Sequence, residues 1–517
     1  MKIYLISFFI FISFSLKSQT INDSLVFFSN DEKFNFQKLK TETSFLLISQ
    51  IDSVDNNLPN KFSKDFYSFL DELNNKTSKL KMNKRVNFIY DNIHAKYFKK
   101  YVANPNFIEI FTKNEFNCVT ATALYSIAFD YLKIPYQIKE KPTHVYLLAF
   151  PETYRIIIET TTPNNGYKAV NETELENYKK YLLSYKLISV DEAKSYDSEK
   201  IFNEFYVQDT TINLTNLIGI QYYNNSVKYS EKNNFKLALI QAEKAFELHK
   251  KDYIKKWINF IIIKLIEEQN KTISNNEFFN LLLKFYTYNK GNDIVEQYIK
   301  EKYSKKAIEI IKETNGELKL DSIKNSFADK FENKSLKEEI IYNSNIILAE
   351  HYYYALDVLK ALELLSKSYK KENKQLNLLI SKCILIHFEK ITSASKGLDS
   401  LKKYENIFPF IIEEARIQSF GVWCYMAMVE KYFESNESET GLIFLNEFRE
   451  KYKPNANTIY KNKFIGKGYG EASSYYFRKQ DFTKAKELLR EGLEFAPESE
   501  ELNRKLKYFD TPYYQKF

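Results

Sequence analysis

Three residues in one stretch of the chain have types that could carry covalent chemistry together: Cys118, His144 and Glu159. Cys118 follows Asn117, a good helix N-cap, and Ala121, Leu124, Ile127, Ala128 and Tyr131 form an apolar face behind it. The cysteine would then be the first helical residue. Unpaired backbone N–H groups and the positive end of the helix dipole favour a thiolate there. One of those N–H groups could also stabilise an oxyanion on a carbonyl that the sulfur attacks. A histidine can take the thiol proton, and a carboxylate can hold the imidazole in one tautomer. In chain order the three read as nucleophile, base and orienter.

Two helices are expected at residues 86–101 and 119–132. Two β-rich runs follow, at 145–150 and 154–158, separated by Pro151-Glu152-Thr153, which is a hairpin signal. His144 opens the first run and Glu159 closes the second. A turn symmetric about Glu152-Thr153 would pair Pro151 with Tyr154 and Tyr146 with Glu159. His144 and Tyr146 then share one face of the sheet, and Glu159 becomes the diagonal neighbour of His144. Diagonal neighbours lie roughly 7–8 Å apart between Cα atoms, within reach of two such side chains. A slip of one residue would turn Glu159 to the opposite face.

The order and local sequences resemble the transglutaminase-like superfamily, a papain-like cysteine fold. The resemblance is carried by Cys118, then Leu132-Lys133-Ile134-Pro135-Tyr136, then Thr143-His144-Val145-Tyr146, then Ile158-Glu159-Thr160-Thr161-Thr162-Pro163. It implies an α+β fold in which Cys118 attacks an amide carbonyl, His144 moves the proton and Glu159 orients the ring. Lys133 stands where that family usually has Gly, Glu159 where it has Asp, and the aromatic that often follows the His is displaced to Tyr146. A second oxyanion donor is not located; Asn114, Asn117 and Tyr97 are the weak candidates.

Other chemistries find little support. His94, His249, His351 and His387 fall on expected helices with no partner at metal-ligand spacing, so no metal is expected. Neither a phosphate-cradling glycine loop nor a dinucleotide fingerprint is present, so no cofactor is expected. The acidic pair Glu413-Glu414 reads as a solvated helix face. With 75 basic and 67 acidic residues interspersed, the formal charge of +8 forms no basic run, which argues against nucleic acid. Lys2 precedes an apolar run too short to span a bilayer comfortably, and small residues follow it. Residues 1–18 therefore read as an export signal, leaving an exported, periplasmic or secreted, protein with no stable membrane span. Cys118, Cys383 and Cys424 are an odd number of cysteines, so at least one thiol is free or intermolecular.

Gly and Pro are scarce, at 11 and 10 of 517 residues, which favours long helices over a turn-rich sandwich or barrel. Residues 19–78 read as a helical lead-in, 79–200 as the α+β domain and 210–517 as all-α, with no convincing strand. Aromatic and small residues recur in the last part: Tyr222, Ser226, Tyr229, Phe235, Ala238 and Ala245 are matched by Tyr469, Ser473, Tyr476, Phe482, Ala485 and Gly492. A weaker copy runs Asn345, Ala349, Tyr352, Val358, Ala361, Leu365 and Ser368. Small residues let antiparallel helices pack closely, and the pattern resembles the tetratricopeptide repeat. A polar capping helix is expected from Ser499 to about Phe509. The whole reads as an enzyme acting on a protein or peptide amide, with repeats for a protein partner. The rival is an inert transglutaminase-like fold in a repeat scaffold of the cell envelope.

Overall fold

The computed structural model describes residues 25–39, 41–51, 57–162, 166–184, 188–202, 204, 209–268, 273–370, 373–454 and 461–509. The expected export signal at 1–18 and Pro163 lie outside them. The structure is mostly helical, at 73%, with a small sheet region. It divides into two compact units, Met1–Tyr288 and Asn289–Phe517. Among the described residues no helix is long and apolar enough to cross a membrane.

The first unit opens with α1 (Asn30–Gln37), α2 (Thr41–Gln50), α3 (Asn57–Thr77) and α4 (Met82–Tyr97). A short parallel ladder, β1 (Lys100–Tyr101) and β2 (Glu115–Phe116), encloses α5 (Glu109–Thr112) and leads into α6 (Cys118–Tyr131). Then come β3 (Tyr136–Lys141), β4 (His144–Ala149), β5 (Ile156–Ile158) and β6 (Tyr167–Ala169). Helices α7 (Glu172–Ser184), α8 (Val190–Ser195) and α9 (Ser198–Ile201) precede β7 (Thr210–Ile212). The five longer-range strands form one antiparallel sheet in the order β6-β5-β4-β3-β7.

Position in this sheet explains the texture of each strand. β4 is central, and Val145 to Ala149 are all buried, so it reads as an unbroken apolar run. β3 hides its nature behind charge: Lys139 is buried with its Nζ donating to Thr211 Oγ1 at 2.8 Å, and Glu140 is taken up by His249. Thr210–Ile212, expected to begin the all-α region, is instead the strand that completes the sheet beside β3. Three residues are too few to show an alternating pattern, and only pairing with β3 makes them a strand.

Beneath α6 lies an aromatic core. Tyr90 and Tyr125 stack at 5.4 Å, and Phe45, Phe66, Tyr97, Phe107 and Phe111 interlock edge-on and tilted. Lys133, where glycine is the usual residue of the resembled family, adopts a left-handed φ of 56° as the chain leaves α6. Ile134 N–H closes that turn on Phe129 C=O at 2.9 Å.

Four helices complete this unit: α10 (Leu214–Glu231), α11 (Phe235–Leu248), α12 (Asp252–Glu268) and α13 (Asn275–Tyr288). They are tied to the rest of it by buried polar contacts. Lys244 Nζ and Tyr222 Oη both reach Glu32 Oε1, at 2.6 and 2.9 Å, with Lys244 and Glu32 almost wholly buried.

The second unit, as described, is all helix. It runs α14 (Asp293–Ile311), α15 (Gly316–Ala328), α16 (Lys334–Tyr354), α17 (Val358–Ser368), α18 (Lys374–Glu389) and α19 (Ala394–Ile407). A 3₁₀ turn at Pro409–Glu413 leads to α20 (Ala415–Glu434) and α21 (Ser438–Lys451). The last helices are α22 (Lys461–Arg478), α23 (Phe482–Phe495) and α24 (Glu500–Tyr508), the last capped by Ser499.

One hairpin geometry recurs in both units. The turns α10–α11, α16–α17, α20–α21 and α22–α23 each hold a left-handed residue: Asn233, Leu356, Asn436 and Gln480, with φ between 57° and 62°. In each, the next residue donates its N–H to a tyrosine carbonyl five back, of Tyr229, Tyr352, Tyr432 and Tyr476. Ser226 Oγ donates to Ala238 C=O at 2.7 Å, and Ser473 Oγ repeats this with Ala485 at 2.9 Å. The α20–α21 copy escapes the sequence pattern because Val429 stands at the serine position. Its small residue is Gly441, where a Cβ would lie 2.8 Å from the Phe433 ring.

Candidate active site

The chain folds so that Cys118 begins a helix for a local reason. Asn117 takes an extended conformation and its Oδ1 accepts from Thr120 N–H at 2.9 Å, while Thr120 Oγ1 accepts from Asn117 N–H at 3.0 Å. This reciprocal cap fixes the start of α6 at Cys118. The cap leaves the Cys118 N–H among the groups that a helix start provides with no intrahelical partner. Cys118 is a free thiol and half-buried.

The sheet brings the other two groups to it. β4 pairs with β5 as Leu147↔Ile158, Leu148↔Ile157 and Ala149↔Ile156, the register of a turn symmetric about Glu152-Thr153. His144 Nε2 lies 2.6 Å from Glu159 Oε2. The Cys118 side chain stands close enough to the same imidazole to favour its charged form. Interaction with Cys118 first and with Glu159 second outweighs the burial that opposes it and pushes the His144 pKa up to about 9. The ring is therefore an imidazolium at neutral pH.

Several groups missed by sequence reasoning hold this arrangement. Tyr146 Oη donates to Asp209 Oδ2 at 2.7 Å, and its ring lies nearly parallel to that of His144 at 6.3 Å. Lys141 Nζ stands 3.6 Å from the same Asp209 oxygen. Below Glu159, the buried Tyr90 Oη donates to Thr162 C=O at 2.9 Å, and Glu159 N–H donates to Gly166 C=O at 2.6 Å. A Cβ on Gly166 would fall 2.1 Å from Tyr90 Oη and 2.3 Å from Glu159 O, so only glycine fits at this position. Thr122 Oγ1, on the second turn of α6, bonds Thr160 Oγ1 at 3.1 Å behind the site. Apart from the Glu159–Gly166 bond and the His144–Tyr146 ring contact, these partners are 38 to 76 positions apart in the chain, so no local pattern announces them.

Of the weak oxyanion candidates, Asn117 is otherwise engaged and Tyr97 lies in the core. Asn117 Nδ2 donates to Ala103 C=O at 2.9 Å, and its Oδ1 caps the helix. Tyr97 packs among Phe66, Phe69 and Phe111 in the core. Asn114 is a turn residue with φ 57° whose carbonyl accepts from Lys99 and Lys100. Cys383 and Cys424 are wholly buried in apolar surroundings, which push both thiols up to about 12. Both are free, as Cys118 is.

Of the remaining histidines, His94, His351 and His387 lie on helices, whereas His249, expected on one, sits just past the end of α11. Its ring pairs with Glu140 at 3.1 Å. Among the described residues no cluster of His, Cys, Asp and Glu could hold a metal ion. Compared with family models, curated proteins and solved structures, the chain matches none.

Proposed function

We propose that the protein is an exported transglutaminase-like cysteine enzyme, acting on a protein or peptide amide through a thioester on Cys118. The observation that carries this reading is one imidazole, His144, hydrogen-bonded to a carboxylate at 2.6 Å and acted on by a helix-start thiol beside it. A cysteine-headed helix packed on an antiparallel sheet that supplies the histidine and the acid supports the transglutaminase-like fold. The recurring helical hairpins support tetratricopeptide-like repeats, which would hold a protein partner.

In the proposed reaction, the Cys118 thiolate adds to the amide carbon and the C=O π pair moves to oxygen. Collapse of the adduct breaks the C–N bond, and His144 delivers its proton to the leaving amine. Water or a second amine then attacks the thioester. His144 takes the proton of that nucleophile, and the C–S bond breaks to restore the thiolate. Glu159 keeps the ring oriented throughout.

The rate of iodoacetamide labelling against pH tests this in the native protein, where burial shields Cys383 and Cys424 and mass spectrometry places the adduct. At pH 6 an activated Cys118 labels about 10²-fold faster than in His144→Ala, because a free thiol with a pKa of about 8.5 holds little thiolate there. An ordinary thiol titration in both proteins would sink the reading and leave a repeat scaffold with an inert cysteine domain.

A further inference from the structure

A thiolate that attacks an amide places negative charge on the carbonyl oxygen, and one backbone N–H at the start of α6 is half of the usual answer to it. The other half needs a donor beside Cys118 that no other group occupies. We infer that the Tyr101 hydroxyl is this second donor, reaching the oxyanion formed when Cys118 adds to a carbonyl. The inference rests on the reading of Cys118, His144 and Glu159 as an acyl-transfer site.

The placement follows from the short parallel ladder. Tyr101 pairs with Phe116, two residues before Cys118. Val102 N–H then bonds Phe116 C=O at 2.9 Å, and Asn117 Nδ2 bonds Ala103 C=O at 2.9 Å. Residues 101–103 thus run alongside 116–117, immediately before Cys118, and are held to them at both ends. The Tyr101 ring rests edge-on against the buried Phe116 at 5.9 Å, yet Tyr101 is 58% exposed, so the ring is anchored on one side and open to solvent on the other. Among the described residues no hydrogen bond engages its hydroxyl. Partial burial, and behind it the charge of Cys118, raise the phenol's pKa above its ordinary value, which keeps the proton it must donate.

The chemistry balances without further reagents. As the sulfur–carbon bond forms, the carbonyl π pair becomes an oxyanion that accepts from the Cys118 N–H and the Tyr101 O–H. When the adduct collapses the pair returns, and the leaving group departs with the His144 proton or, for a good leaving group, as an anion.

Two probes separate an oxyanion donor from a residue that merely shapes the site. Acylation by 4-nitrophenyl acetate passes through an oxyanion, whereas alkylation by iodoacetamide displaces iodide and does not. Tyr101→Phe keeps the ring on Phe116, and a matching thermal melt verifies the fold. The burst of 4-nitrophenolate should slow by about 10-fold to 100-fold in Tyr101→Phe, while iodoacetamide labelling at pH 6 stays at the wild-type rate. An unchanged burst, or an equal slowing of both reactions, overturns the role of Tyr101. A wild-type protein that gives no burst and labels as an ordinary thiol overturns the site reading itself, and Tyr101 with it.

Discussion

Two histidine–glutamate pairs draw on the same sheet, and their surroundings set them apart. In the first, His144 at the head of β4 meets Glu159 just past β5, with the side chains 28% and 33% exposed and a thiol on the same ring. In the second, Glu140 of β3 meets His249, with the side chains only 11% and 3% exposed. There the neighbours are structural: Tyr253 Oη donates to Glu140 Oε1 at 3.3 Å, and Lys251 Nζ stands 3.8 Å from Oε2. The first ring is open to solvent and the second is not. An imidazole–carboxylate contact alone therefore says little about chemistry. Access, and the third group on the ring, decide whether it positions a proton or a helix.

His249→Ala tests that division with the largest effect. Burial pushes the Glu140 carboxyl up, but His249, Lys251 and Tyr253 together hold it below its ordinary 4.5. A depressed carboxyl contributes stability above that value and loses it as pH falls through the folded one. Removing His249 strands part of this carboxylate in a closed site, at a cost of about 2–3 kcal/mol in urea unfolding at pH 7. Cys118 should label at the wild-type rate. Loss of labelling beyond the loss of folded protein would show that the second pair acts on the first.

Glu159→Gln gives the intermediate effect. Both partners of His144 favour its charged form, so its folded pKa of about 9 exceeds the ordinary 6.5. The stability this contributes is complete below 6.5 and is lost as pH rises through about 9. Replacing the carboxylate removes one raising cause, and the midpoint should fall by about one unit. With only five histidines in the chain, the ring-carbon NMR signals of labelled histidine can be assigned by comparison with His144→Ala. Equal midpoints in wild type and variant would mean that Glu159 does not hold the ring.

Legibility followed sequence distance. The start of α6 was readable because its signal is local, Asn117 followed by an apolar face, and the capping box adds only Thr120. The β4–β5 register was readable because a short turn has few ways to close. Asp209 and Tyr90 were not, because each matters only through partners far along the chain. The same divide separates strands from helices. β7 exists through β3 alone, whereas the hairpins of α10–α11 and α22–α23 announce themselves by Ser226 and Ser473 at matching offsets. Where Val429 replaces that serine, the turn geometry persists and the sequence mark disappears.

The smallest effect belongs to the third group of the second pair. Tyr253 completes that contact from the side of the carboxylate, whereas Cys118 acts at the first from the side of the imidazole. Its burial, and behind it the Glu140 charge, raise the phenol's pKa, so it remains a donor throughout the range in which the protein is folded. Tyr253→Phe removes only that hydroxyl, because the ring keeps its edge-on contacts with Tyr223 at 5.2 Å and His249 at 6.2 Å. His249 and Lys251 still face the carboxylate, so the loss should be about 0.5–1 kcal/mol, with no change in Cys118 labelling at any pH. Urea unfolding and the labelling profile read the two quantities separately. A labelling profile displaced in Tyr253→Phe would mean that the two pairs share a charge network through β3 and β4, and that exposure alone does not distinguish them.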